Sequence, residues 1–290
     1  IAVLCLKSGN AVILRGGSES FESNRAFASL IRDTLCSVGI PQDAVQFINS
    51  KDRGLVDEML ALDQYIDLLI PRGGEQLINM VSERAKMPSV TGGIGVCHTY
   101  VDESADLNKA VEIAFNAKVQ RPSVCNALDS LLVHSEVAKS YLPIIAKRWS
   151  DAGVEIHADK RSLSILGPKN ELNIIAATDQ DWGTEFLSLT AAVKVVDSLE
   201  EAISHIDAYG SGHSEAIITE NQDAANQFLD AVDAAAVFTN ASTRFNDGAE
   251  FGLGSEVAIS TDKMHARGPM GIKELTSYKW IVRGSGQTRP

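Results

Sequence analysis

The chain is predicted to be an α/β protein built on parallel sheets, because short, apolar, partly β-branched runs alternate with helical periodicity along most of its length. Two glycine loops, Arg15-Gly16-Gly17-Ser18 and Pro71-Arg72-Gly73-Gly74, each follow an apolar run and precede a helical one, as in a βαβ unit. A break at Arg121-Pro122 separates a first stretch of alternation from a second.

Ile1 to Leu6 is apolar, lacks an initiating Met and reads as the inside of a buried helix, so the sequence is expected to be a segment of a longer protein. Ala11-Val12-Ile13-Leu14 suits a strand buried on both faces. Residues 22–38 place Phe27, Leu30, Ile31, Leu35 and Val38 at helical spacing, with Gly39 and Pro41 as the stop. The pattern repeats with strands at 45–48 and 66–70 and helices at 54–62 and 75–84. A strand at 94–101 and a helix at 106–118 complete a first unit, expected to span 1–118 with its N-terminal part missing. A second sheet is expected from strands at 128–134, 154–158, 189–196, 215–219 and 235–238, with helices at 135–150, 199–209 and 222–231. Residues 239–271, rich in Gly, Ser, Thr and Asn, read as loop close to a site. The expected division is 1–118, 119–265 and a final segment 266–290.

Charge narrows the function. A net charge of -12 argues against nucleic acid or anionic membrane as partner, since both need clustered Lys and Arg. No apolar run approaches the ~20 residues that span a bilayer, and no secretory signal pattern is present, so a cytoplasmic protein is expected. Cys5, Cys36, Cys97 and Cys125 are widely spaced without a CxxC pair, so neither a metal site nor a disulfide framework is expected.

Cys125 lies in Arg121-Pro122-Ser123-Val124-Cys125-Asn126, between a predicted helix and a predicted strand at the junction of the two units. There Arg121 and nearby backbone N–H groups can lower the thiol pKa and favour the nucleophilic thiolate. A small buried hydrophobe is the other reading, and spacing leaves both open. Core packing is expected for Cys5, Cys36 and Cys97. The glycine loops suit phosphate at the carboxyl edge of a parallel sheet, with Arg15 or Arg72 adding a bidentate contact, or else are tight turns needing positive φ. Glu185 is a lone acid before a strand, and His213 in Gly210-Ser211-Gly212-His213 reads as an anion ligand when protonated or as a surface turn. Arg244 and Arg267 are further anion candidates in the late loop.

Taken together, ordered segments along the whole chain resemble the γ-glutamyl phosphate reductase family of the aldehyde dehydrogenase superfamily. They are Leu6-Lys7-Ser8-Gly9-Asn10 through Arg15-Gly16-Gly17, Leu69-Ile70-Pro71-Arg72-Gly73-Gly74, Gly92-Gly93-Ile94-Gly95-Val96-Cys97-His98, Gln120-Arg121-Pro122-Ser123-Val124-Cys125-Asn126 and Ala241-Ser242-Thr243-Arg244-Phe245-Asn246-Asp247-Gly248. The resemblance implies an aldehyde dehydrogenase-like fold, with a Rossmann-like cofactor domain, a catalytic α/β domain and an oligomerisation arm at 266–290.

It also implies Cys125 as nucleophile, Arg15 at the adenosine ribose with NADP(H) as cofactor, and the Pro71–Gly74 loop beside the pyrophosphate. Glu185 falls at the nicotinamide ribose, and Arg121, Asn126, His213 and Arg244 are the candidates for substrate contacts. The implied reaction reduces L-glutamate 5-phosphate to the 5-semialdehyde through a cysteine thioester, the second step of proline synthesis. Glutamate 5-kinase is the expected pathway partner, and a homo-oligomer the expected assembly. Hydrolytic relatives carry a Glu that activates water where this chain reads Val90-Thr91-Gly92-Gly93, which suits a thioester destined for hydride. The region expected before Ile1 would supply part of the cofactor sheet and an Asn for the oxyanion hole. Three rivals remain: the reductase half of a bifunctional pyrroline-5-carboxylate synthase, a non-catalytic fragment, and a cysteine hydrolase unrelated to nicotinamide.

Overall fold

The computed structural model describes residues 1–90, 94–167, 172–264 and 266–290, with Glu75 described in its backbone alone. Its first part comprises α1 (Ala2–Lys7), β1 (Val12–Leu14), α2 (Phe21–Ser37), β2 (Val45–Phe47), α3 (Gly54–Met59) and α4 (Glu75–Arg84). There follow β3 (Cys97–Val101), α5 (Leu107–Val119), β4 (Leu128–His134), α6 (Ser135–Asp151), β5 (Glu155–Ala158), α7 (Lys160–Leu166) and β6 (Ile174–Ala176). The chain then forms β7 (Thr190–Val196), α8 (Leu199–Tyr209), β8 (Ser214–Ile218), α9 (Gln222–Ala231), β9 (Ala236–Thr239) and a short ribbon of β10 (Ile259–Ser260) with β11 (Gly268–Pro269).

Among the described residues, β1 and β2 pair in parallel as a small sheet, and seven parallel strands form a large one in the order β6-β5-β7-β4-β3-β8-β9. The middle strands are buried end to end, which is why they read as unbroken apolar runs. Along β4 the side chains alternate: Leu131 and Val133 pack with Tyr141, Leu142, Ile145 and Trp149, while Leu132 packs on the other face with Tyr100, Ile206, Ile217 and Phe228. Helices α5 to α7 cover the first face and α8 and α9 the second. Side-chain oxygens of Asp106, Asp159, Ser198 and Asn221 cap α5, α7, α8 and α9, so each of these helices starts where its first free N–H groups find an acceptor.

The α/β reading and most elements match, with six differences. Strand β1, expected to be buried on both faces, is only partly covered and leaves Ile13 exposed, since its small sheet with β2 has two strands among the described residues. Strand β3 hydrogen-bonds to β4 and β8, so β3 and α5 join the large sheet and the change of sheet falls ahead of Cys97, not after residue 118. The 66–70 run, expected as a strand, makes only an isolated bridge from Leu69 to Ser89, because no further described segment pairs with it. Residues 94–96 lie before β3, since side chains, not a neighbouring strand, take the N–H groups of Gly95 and Val96. Helix α7 and strand β6 were not foreseen. Cys36, expected in the core, is exposed on α2 with Phe27, Leu30 and Val38, whereas Cys5 and Cys97 are buried.

Candidate active site

Loops at the amino edge of the large sheet come together around Cys125. Residues 94–96 precede β3, 120–127 precede β4, 183–189 precede β7, and 210–213 precede β8. The Gly95 N–H donates to Glu185 Oε1 at 2.9 Å, the Val96 N–H to Ser211 Oγ at 2.9 Å, and the Cys97 thiol to the Cys125 carbonyl at 3.1 Å. Open parallel sheets favour ligands at the carboxyl edge. Here the carboxyl end of the β3–β8 crevice holds Asp102, whose carboxylate accepts from Tyr100 at 3.2 Å and from Ser104 and Thr219 at 2.7 Å each.

Cys125 is half-buried. Gly95 presses on its backbone: a Cβ at Gly95 would stand 1.9 Å from the Cys125 carbonyl oxygen. Burial pushes the Cys125 thiol up, and the charges of Glu185 and Glu256 push it further, against Arg72 and its own backbone N–H. This corrects the expectation that Arg121 lowers the thiol pKa. The nearby cation is Arg72, from the second glycine loop, and two carboxylates outweigh it. Burial raises both of those carboxyls, Glu185 while it holds Gly95 and Glu256 while Oε2 accepts the Gly248 N–H at 2.9 Å. Glu256 escaped the sequence reading, although it is the acid closing the glycine-rich Gly252-Leu253-Gly254-Ser255 turn.

Behind Cys125 lies a buried polar floor. Asn126 Nδ2 donates to the Asn246 carbonyl at 3.0 Å and the Arg244 carbonyl at 3.5 Å, while the Asn126 carbonyl accepts from Thr243 Oγ1 at 2.7 Å. Asn246 Nδ2 donates to Ser214 Oγ at 2.9 Å. The amide nitrogen of Asn126 is thus committed to the 240–248 loop and unavailable to substrate. His213 is neither an exposed turn residue nor an imidazolium. It is 1% exposed, Nδ1 lies 2.7 Å from Ser214 Oγ, and burial pushes its pKa down to about 4, so it is neutral at physiological pH.

Arg244 lies along the Cys125 loop. Its carbonyl is held by Asn126 and its Nε donates to Gln120 Oε1 at 2.7 Å, at the far end of the loop from Cys125. Burial and repulsion from Arg121 hold its guanidinium below the ordinary range. Neither Arg121 nor Arg244 has an ion-pair partner among the described residues.

A cleft of about 1750 Å³ is lined by Arg15, Gly17 and Ser18 and by Pro71 through Gly74. Gly16 abuts Asn24 instead. None of these four glycines has positive φ, so tight turns do not explain them, and the exposed backbone they provide is what remains. Arg15 Nε is buried and has no hydrogen-bond partner among the described residues. An open cleft, two glycine loops and an unpartnered guanidinium nitrogen fit a phosphate-bearing dinucleotide. Val90, at the position where hydrolytic relatives are expected to carry the water-activating Glu, is buried and donates its N–H to the Leu69 carbonyl at 2.8 Å, and Thr91 to Gly93 lie outside the described residues.

A thiol between loops of a parallel sheet, beside a glycine-walled cleft, defines the class, and the chain belongs to the aldehyde dehydrogenase family, whose model matches residues 2–171. Within that family its similarity is specific. It is 59% identical to the gamma-glutamyl phosphate reductase of Dehalococcoides mccartyi and 52% to that of Shewanella piezotolerans, in each case over 100% of this chain and 68% of the relative. A crystal structure of the gamma-glutamyl phosphate reductase of Thermotoga maritima superposes with a TM-score of 0.95 at 48% identity, covering 100% of this chain and 69% of that one. The chain is thus a member of the gamma-glutamyl phosphate reductases, oxidoreductases of aldehyde dehydrogenase-like α/β fold. Among the described residues, no helix is long and apolar enough to cross a membrane.

Proposed function

We propose that this protein reduces L-glutamate 5-phosphate to L-glutamate 5-semialdehyde and phosphate, with NADPH as reductant and Cys125 as nucleophile. The observation that carries the mechanism is the seat of Cys125, half-buried with Gly95 against its backbone and Glu185, Glu256 and Arg72 around it. The Cys125 thiolate attacks the acyl carbon, the carbon–oxygen bond to phosphate breaks, and phosphate leaves with the electron pair. Cys125 then carries a glutamyl thioester. When bound, a reduced nicotinamide supplies hydride to that carbonyl carbon. Collapse expels the Cys125 thiolate and releases the aldehyde. Backbone N–H groups at the nucleophile loop steady the oxyanion formed at each addition.

Arg15 and the Pro71–Gly74 loop hold the cofactor, with Arg15 selecting for a 2′-phosphate and Glu185 at the nicotinamide ribose. Arg121 and Arg244 receive the α-carboxylate of the glutamyl chain: neither has an ion-pair partner among the described residues, and Arg244 is held at Gln120 through its Nε. The enzyme assembles as a homo-oligomer, draws its substrate from a glutamate kinase and works in the cytoplasm. The test is Cys125→Ser in the intact enzyme. Loss of phosphate-dependent NADP reduction from the semialdehyde is expected, and unimpaired activity would sink the mechanism.

A further inference from the structure

Lys118 and Asp129 are charged residues buried where the end of α5 meets the start of β4. Lys118 is in the last turn of α5 and Asp129 at the start of β4, so they stand at the two ends of the loop that carries Cys125. Their side chains are 0% and 3% exposed, with Nζ 3.6 Å from Oδ1. The strand register explains how an acid on β4 reaches that partner: Cys97 aligns with Leu128 and His98 with Ser130, so Asp129 is the extra residue of a bulge. A bulge of this kind re-aims a side chain.

Both groups also grip the Glu185 segment. Asp129 Oδ1 accepts the Phe186 N–H at 3.1 Å, and Lys118 Nζ donates to the Ser188 carbonyl at 3.2 Å. The neighbouring Glu185 holds Gly95, and Gly95 lies on the Cys125 backbone. The links close a ring from the Cys125 loop through Asp129, Phe186, Glu185 and Gly95 back to Cys125. Core stability alone does not call for such a pair, because two buried charges replaced by apolar residues of similar volume often leave a protein as stable or more so.

We infer that the Lys118–Asp129 pair is a positioning element that fixes the Cys125 thiol relative to Glu185, and through Glu185 relative to the bound nicotinamide. The inference rests on the reading of Cys125 as nucleophile and Glu185 as a cofactor-facing residue. Neither Lys118 nor Asp129 is assigned contact with the reacting atoms.

The test is the double variant Lys118→Met with Asp129→Leu in the intact enzyme, with Asp129→Asn beside it. The double variant is expected to keep the thermal midpoint. Its kcat for phosphate-dependent NADP reduction should fall about 10- to 100-fold and its KM for NADP should rise, because a misplacement near 1 Å costs about that much. Asp129→Asn, which keeps an acceptor for Phe186, should lose less, and it carries the test should the double variant fail to fold. Parent-like kcat and KM in the folded double variant, or failing that in Asp129→Asn, overturn the inference and leave a merely structural pair. A Cys125→Ser control separates the two readings: if it stays active, the nucleophile assignment is what fails.

Discussion

Replacing Gly95 by Ala probes the seat of the nucleophile with a single methyl group. The Gly95 backbone lies outside the left-handed region, so alanine adds no conformational strain, and the effect comes from space alone. The new Cβ would stand 1.9 Å from the Cys125 carbonyl oxygen, 2.6 Å from its carbon and 2.8 Å from its Cα, all backbone atoms that cannot rotate away. Ordinary contact begins at 3.4 Å, so one loop must retreat by about 1.5 Å. The Gly95 bond to Glu185 is on the same segment, so the shift also moves Glu185 relative to the thiol. A displacement of this size is expected to lower kcat about 100-fold, or about 2.7 kcal/mol of activation free energy. Steady-state NADP reduction with semialdehyde and phosphate measures it, with thermal unfolding as the fold control. A folded Gly95→Ala enzyme with parent kcat would refute the close packing on which this reasoning depends.

Three further outcomes follow from the site. Because burial and two carboxylates raise the Cys125 thiol, its alkylation by iodoacetamide should climb with pH to beyond the ordinary thiol value of 9.0. Glu256→Gln should shift the profile to lower pH and speed the reaction at pH 8, whereas slowing would be contrary. His213, held near 4 in the fold against an ordinary 6.5, gives stability that is complete above 6.5 and is lost as pH falls towards 4, about 3 kcal/mol in all. Denaturant titrations at pH 7 and 4.5 should show a shallower fall for His213→Asn, and an unchanged slope would exclude a neutral buried imidazole. Arg244→Gln should raise the KM for semialdehyde about tenfold and leave the KM for phosphate unaltered. The reverse pattern would make Arg121 and Arg244 a phosphate subsite.

The main strands were legible because a strand buried on both faces is an apolar run whatever its neighbours. Their neighbours were not: β3 looked continuous with the first unit, and only its hydrogen bonds to β4 and β8 put it in the large sheet. Helix α7 is seven residues long and β6 three, too short for periodicity to show.

In the site, spacing left Cys125 between nucleophile and core residue, and only ordered matches along the chain favoured the first. Gly210-Ser211-Gly212 made His213 look like part of a surface turn. The return of residues 240–248 across the start of β8, with Asn246 bonded to Ser214, is what buries it, and no local pattern announces that. Glu256, Lys118 and Asp129 drew no notice in the sequence, because no local pattern marks them and Lys118 and Asp129 reach Ser188 and Phe186 far along the chain.

The central claim is that Cys125 carries a glutamyl thioester that passes to phosphate or hydride and not to water. Mixing the intact enzyme with L-glutamate 5-semialdehyde and NADP in the absence of phosphate tests this most directly. A burst of NADPH matching the number of active sites is expected, followed by arrest, with peptide mass mapping placing one glutamyl adduct on Cys125. Sustained turnover without phosphate, or an adduct on any other residue, would contradict it.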